Sequence, residues 1–230
     1  QIYPRIADEG GGRINGRLFY EAGKTLALYV DGERRGDVRI DAVKPHQCNS
    51  AVGVVVPTLS TVSRKVVGIA TNAPNVRSRP SNRRAADPAE RGALLQLATR
   101  EFVRNKVSTS LMTRILLDAA TAIEVDDSKN RALVGSFHIQ TKTERHDVFL
   151  IASYRDSKPS LEYARYHPTT DLEDFKDHIG IGLVDHLDLN GDGIDEIVLV
   201  IGGWESEVYE VYSRRQGNWV LVAESFMAGC

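Results

Sequence analysis

Oxygen-bearing side chains recur at alternate positions through Asp188-Leu189-Asn190-Gly191-Asp192-Gly193-Ile194-Asp195-Glu196, and the apolar run Ile197-Val198-Leu199-Val200 follows at once. A short loop that wraps a hard cation needs this pattern. Calcium takes six to eight oxygens at about 2.3–2.6 Å, and alternate residues of a tight loop turn their side chains to the same side. Gly193 gives the backbone freedom for a sharp turn. The spacing makes Asp188, Asn190, Asp192 and Glu196 candidate side-chain ligands for Ca2+, with the carbonyl of Ile194 between them. An EF-hand is excluded: its twelfth loop position is a bidentate Glu flanked by helix, whereas the twelfth residue here is Leu199 in a β-branched, strand-like run. The plainer alternative is that Asn190-Gly191 and Asp192-Gly193 simply make turns between two strands.

The segment from Asp188 to Val200 resembles the calcium loops of FG-GAP or VCBS-type repeats, such as those of integrin α-subunits. The resemblance implies one ion held between adjacent strands, with ligands at the first, third, fifth, seventh and ninth loop positions. Asp188, Asn190, Asp192 and Ile194 match that pattern, and Glu196 stands where Asp is commoner. It covers about 45 of the 230 residues and implies little about activity. Sliding the loop back by 64 residues lays Ile123–Val134 over Leu187–Val198: Glu124 falls on Asp188, Asp126 on Asn190 and Ser128 on Asp192. Lys129 replaces Gly193 and Ala132 replaces Glu196, changes that add a cation and remove a carboxylate. The two stretches read as one β unit in two copies, the first degenerate for metal.

Other chemistry is sparse. The sequence has no G-x-S-x-G elbow, H-E-x-x-H pair, P-loop or dinucleotide fingerprint. The six histidines are scattered, and His186, beside the loop, reads as a surface residue or a support for the ligands. Glu205, Glu207 and Glu210 lie among Trp204, Tyr209 and Tyr212, so an extracellular hydrolase acting on polysaccharide, with Glu205 and Glu207 as its acids, is the alternative function. The competing reading is an exposed strand with acidic outward positions.

A length of 230 residues and 42% hydrophobic content allow one large domain or two small ones with a real core. The net charge of −2 gives no general argument for nucleic acid or membrane. Residues 171–210 nevertheless carry twelve Asp/Glu against Lys176 alone, and residues 64–106 carry ten Lys/Arg against three acids. The basic stretch lacks the interleaved aromatics that stack on bases, which argues against nucleic acid. The longest apolar runs, Val52–Pro57 and Ile197–Ile201, are strand-sized and too short for a membrane span. Cys48 and Cys230, the only cysteines, make neither a disulfide scaffold nor a zinc site and leave one bridge open. A calcium loop of modest affinity and a chain opening at Gln1 point to a secreted or periplasmic protein, with a protein or cell-surface polymer as partner.

The fold expected is α+β and mostly antiparallel β. Residues 1–75 form an N-terminal β unit, with Asp31-Gly32 as a hairpin turn between Thr25–Val30 and Val38–Ile40. Residues 76–86 read as a charged linker. Residues 87–230 hold a helix and the two-copy β region. Asp87 as N-cap, Pro88 at the first helical position and Glu90 at capping-box spacing start that helix, and Leu94, Leu95, Ala98 and Phe102 recur on one face before it ends near Lys106. A second short helix is expected over 109–117, and a loop with a short helix over 155–180.

Overall fold

The computed structural model describes residues 21–45, 52–55, 67–80, 82–128, 131–156, 158–170, 180–203, 206–224 and 228–229. Expectations resting on Cys48, Trp204, Glu205, the acids at 171–177, His178 and Cys230 lie outside these residues. The protein is mostly antiparallel β with one long helix, as its strand-length apolar runs and turn dipeptides require. Two compact units form. One gathers residues 1–81, 184–213 and 221–230, and the other 82–183 with 214–220.

In the first unit β1 (Thr25–Val30) and β2 (Glu33–Arg39) form a hairpin in which Val30 faces Glu33. Asp31 and Gly32 both take left-handed backbone, at φ 52° and 73°, so the turn follows the right-handed twist of its strands. Next come β3 (Ala42–Pro45) and β4 (Val52–Val55), which pair with each other. β5 (Ile69–Thr71) pairs on the other side of β1, giving the order β2-β1-β5.

The second unit opens with β6 (Arg84–Ala85) and α1 (Pro88–Arg104). The capping box is complete: Asp87 Oδ1 accepts from the Glu90 amide at 2.9 Å, and Glu90 Oε2 accepts from the Asp87 amide at 2.8 Å. Residues Thr109–Arg114 make a 3-10 turn, not a helix running to 117, because Leu116 and Leu117 already belong to β7 (Leu116–Glu124). β8 (Arg131–Gln140), β9 (Arg145–Arg155) and β10 (Lys158–Thr169) complete an antiparallel sheet of order β10-β9-β8-β7-β6. The expected loop over 155–180 is therefore corrected for 158–169, which is strand. Pro159 and Pro168 are compatible with that because β10 is the outer strand of this sheet, where a missing N–H costs no ladder bond. Leu94, Leu97, Ala98 and Phe102 on one stripe of α1 pack against Leu133, Phe137, Ile139, Val148, Leu150 and Ala152, alternate residues on one face of the sheet.

A second meander follows, β11 (Gly180–Leu187), β12 (Glu196–Gly202), β13 (Ser206–Arg215) and β14 (Asn218–Glu224), in the order β11-β12-β13-β14. β15 (Ala228–Gly229) pairs with β13. Gln216 and Gly217, at φ 51° and 81°, turn β13 into β14 as Asp31 and Gly32 turn β1 into β2. The candidate loop joins β11 to β12. Shifted by 64, the ends of β7 and β8 that flank the degenerate loop fall within one residue of the ends of β11 and β12. Tyr29, Ile69, Leu187 and Val198 form the core beneath the loop, with Leu189 of the loop itself packed on them. Among the described residues no helix is long and apolar enough to cross a membrane.

Candidate metal centre

Three of the five expected ligands, Asn190, Asp192 and Glu196, are hydrogen-bonded to one another, and Asp188 is bonded to amides of the same loop. Asp188 is fully buried; its Oδ1 accepts from the Gly191 amide at 2.6 Å and its Oδ2 from the Gly193 amide at 2.9 Å. Asn190 Oδ1 accepts from the Asp192 amide, and Asp192 Oδ1 from the Ile194 amide, each at 2.8 Å. These short Asp and Asn bonds to amides two to five residues on fold the loop upon its own side chains. Glu196 closes it. Its Oε2 accepts from the Leu189 amide at 2.8 Å, and its Oε1 from Asn190 Nδ2 at 2.8 Å. The same Asn190 amide group donates to Asp192 Oδ2 at 3.1 Å. Ile194 lies half-buried in the loop and itself takes part in a β-bridge.

The electrostatics of this network run against its acids. Burial pushes the Glu196 carboxyl above the usual carboxylate range, and the neighbouring Asp192 and Asp188 charges push it further. The Leu189 amide and the Ser213 hydroxyl oppose the shift without cancelling it. A cation among these oxygens would reverse the balance. The donor types therefore suit calcium: carboxylates, a side-chain amide oxygen and a backbone carbonyl within nine residues. Carboxylate oxygens already bonded to an amide keep a further lone pair for an ion. Among the described residues, however, no three His, Cys, Asp or Glu side chains are gathered as a ready metal cage. The loop's acids are bonded to its own amides, and Asn190 N–H groups bridge Glu196 and Asp192.

Residues far away in sequence fix the loop from outside. The Arg77 amide donates to the Asp188 carbonyl at 3.0 Å. Arg79 donates through an outer guanidinium nitrogen to the Gly193 carbonyl at 2.5 Å, and its Nε lies 3.2 Å from Asp195 Oδ1, an ion pair outside hydrogen-bond geometry. The stretch read as linker is thus bonded to the loop over part of its length. Gly191, at φ 82°, passes so near that a Cβ would lie 2.7 Å from the Asn75 carbonyl oxygen, so only glycine fits there.

His186 is not a surface residue. It is 3% exposed, and its Nδ1 donates to Asp195 Oδ2 at 2.7 Å. Beside it the buried Asp185 accepts through Oδ1 from the His186 amide at 2.7 Å and the Gly32 amide at 3.3 Å. Burial pushes the Asp185 carboxyl up, the His186 amide and ring pull it down, and the Asp31 charge raises it again. Arg79, His186, Asp195 and Asp185 were invisible as a group in the sequence. Only the charge of Asp195, one residue before Glu196, marked the place.

The 124–132 loop engages other partners. Glu124 accepts from Asn82 Nδ2 at 2.7 Å, and Asp126 faces Arg214 at 3.9 Å, so a guanidinium meets the first copy's acid. Of the two acids named for hydrolysis, Glu205 lies outside the described residues. Glu207 is exposed and accepts from the Tyr209 hydroxyl at 3.2 Å, whereas Glu210 is buried and accepts from the Tyr212 hydroxyl at 2.7 Å. Three residues apart on β13, they project to opposite faces.

Comparison with known proteins finds no matching family model, no matching curated protein and no matching solved structure.

Proposed function

We propose that this chain is an exported, calcium-stabilised β-rich module with a binding or structural role toward a protein or cell-surface polymer. The observation that carries the reading is the gathering of Asp188, Asn190, Asp192 and Glu196 by hydrogen bonds within one loop, where burial, and after it the Asp192 and Asp188 charges, raises the Glu196 carboxyl. Loops that only reverse direction have no use for a buried acid facing two others. In this reading a calcium ion takes over the bridging now done by the Asn190 amide, with Asp188, Asn190, Asp192, the Ile194 carbonyl and Glu196 as its ligands. The ion supplies no chemistry beyond charge and coordination; the protein's part is to hold the oxygens and, through Leu189 and Leu187, to join them to the core.

Thermal melting tests this. An ion that binds only the folded chain stabilises it by about 2.7 kcal/mol at a hundred times its dissociation constant. Chelator should lower the melting temperature, and added calcium should restore it. Asp192→Ala should fold at low temperature and lose that response. A calcium response of parental size in Asp192→Ala would remove the ligand assignment.

A further inference from the structure

One acid of the loop is idle in the ligand set just described. Asp195, at the eighth position, is 1% exposed and turned onto two groups outside the loop. One oxygen takes the His186 Nδ1–H at 2.7 Å, and the other faces Arg79 Nε at 3.2 Å. The same guanidinium holds the Gly193 carbonyl at 2.5 Å. The chain on both sides of Ile194 is therefore fixed from outside the loop, at Gly193 through its carbonyl and at Asp195 through its carboxylate.

The clamp continues to the β1–β2 turn. The Arg79 amide donates to the Gly32 carbonyl at 3.1 Å, Ser78 Oγ to the same carbonyl at 3.3 Å, and the Gly32 amide to Asp185 Oδ1 at 3.3 Å. A Cβ on Gly32 would lie 3.0 Å from His186 Cε1, so the turn rests directly on the imidazole. Three polar atoms in this cluster, His186 Nε2, Asp185 Oδ2 and Asp195 Oδ1, are buried with no hydrogen-bond partner among the described residues. A residue present only to fill space would be apolar here, because burying an unsatisfied polar atom opposes folding. Nδ1 is the atom His186 uses, and its use is to hold Asp195.

We propose that His186 and Arg79, acting through Asp195, are positioning residues for calcium in the Asp188–Glu196 loop, and that they connect the ion to the Asp31–Gly32 turn. This rests on the calcium reading above. The clamp keeps Asp195 away from the ion and presents the Ile194 carbonyl and Glu196 toward it, so calcium meets a loop whose second half is already ordered. Outer partners that orient ligands commonly change metal affinity by about 10- to 100-fold when removed.

Calcium titration calorimetry on five proteins tests it: the parent, Asp188→Asn, His186→Leu, His186→Asn and Asp195→Asn, each first checked for a folded spectrum in chelator. His186→Leu and Asp195→Asn are expected to bind calcium about tenfold more weakly or worse. His186→Asn, whose amide N–H can replace Nδ1–H, should recover most of that loss. A merely structural histidine would lower the melting temperature in chelator while leaving the affinity unchanged. Parental affinity in both His186→Leu and Asp195→Asn would overturn the positioning role while leaving the calcium site standing. A parent as silent toward calcium as Asp188→Asn would overturn the calcium reading itself. If His186→Leu does not fold, Asp195→Asn, which keeps the shape and loses the charge, decides alone.

Discussion

Asn190 shows how finely the loop's charge is set. It is the one neutral side chain among four candidate ligands, and its N–H2 group bridges two of the acids. An aspartate there would remove the bridging donors and add a fourth negative charge beside Asp188, Asp192 and Glu196. Asn190→Asp should therefore melt below the parent in chelator. With calcium it should bind about tenfold tighter, since ligand charge count sets affinity in oxygen-ligated loops. Paired melts with and without the ion would check both signs; a variant that melts above the parent in chelator would show that these acids do not repel. The first copy presents the opposite arrangement. There Arg214 lies 3.9 Å from Asp126, with a second contact to Glu162 at 2.5 Å, and a fixed guanidinium already serves the acid. Calcium should gain little at that loop. Asp126→Asn, with Arg214 still paired to Glu162, should leave the calcium response unchanged in the same melts.

Among the elements, α1 was the most legible in the sequence because its start is specified locally. Asp87, Pro88 and Glu90 act within one turn, and the structure forms all the expected bonds. Glu90 does more than its spacing tells. Fully buried, it also accepts from both outer nitrogens of Arg84 at 2.7 Å and from Arg131 at 3.3 Å. The Arg84 hydrogen bonds, then the Asp87 amide and the Arg84 and Arg131 charges, hold its carboxyl below the usual range against the effect of burial. A carboxylate whose folded pKa is lowered stabilises above its unfolded pKa and loses that contribution as pH falls toward the folded value. Glu90→Gln should cost about 2 kcal/mol at neutral pH, discounted because both arginines are partly exposed. The gap between parent and variant should close on acidification below the ordinary carboxylate range; urea titrations at several pH values would measure it, and a gap independent of pH would discard this account. β10 was misread for a reason of the same kind. Its prolines signal a break locally, and only its place at the outside of the sheet makes them acceptable. Arg79 and His186 escaped the sequence reading because nothing local marks them: the bond from Arg79 to Gly193 spans 114 residues, and His186 gives no sign of its burial. The spacing of the candidate ligands was legible because it lies within nine residues. The clamp was not, because it depends on tertiary contact.

At the scale of the molecule, two four-stranded antiparallel meanders stand in one chain, one carrying the Asp188–Glu196 loop and one the 124–132 loop. At an offset of 64 residues the strand ends on either side of the two loops agree within one residue. Each meander has its own buried cluster, so the effect of calcium should be local. Amide hydrogen exchange with and without calcium should show added protection between Leu187 and Leu199 and none between Leu133 and Leu150. Equal protection in both segments would mean that the ion is felt globally. The prolines of β10 carry a further consequence. The border of a sheet is where another extended chain can pair, the route by which β proteins grow into fibrils. Pro159 and Pro168 stand near opposite ends of β10, opposite Tyr154 and His146, and neither has an N–H to offer. A further strand laid along β10 could take no N–H from either position, so the residues that disguise the strand in the sequence also limit the pairing it could accept.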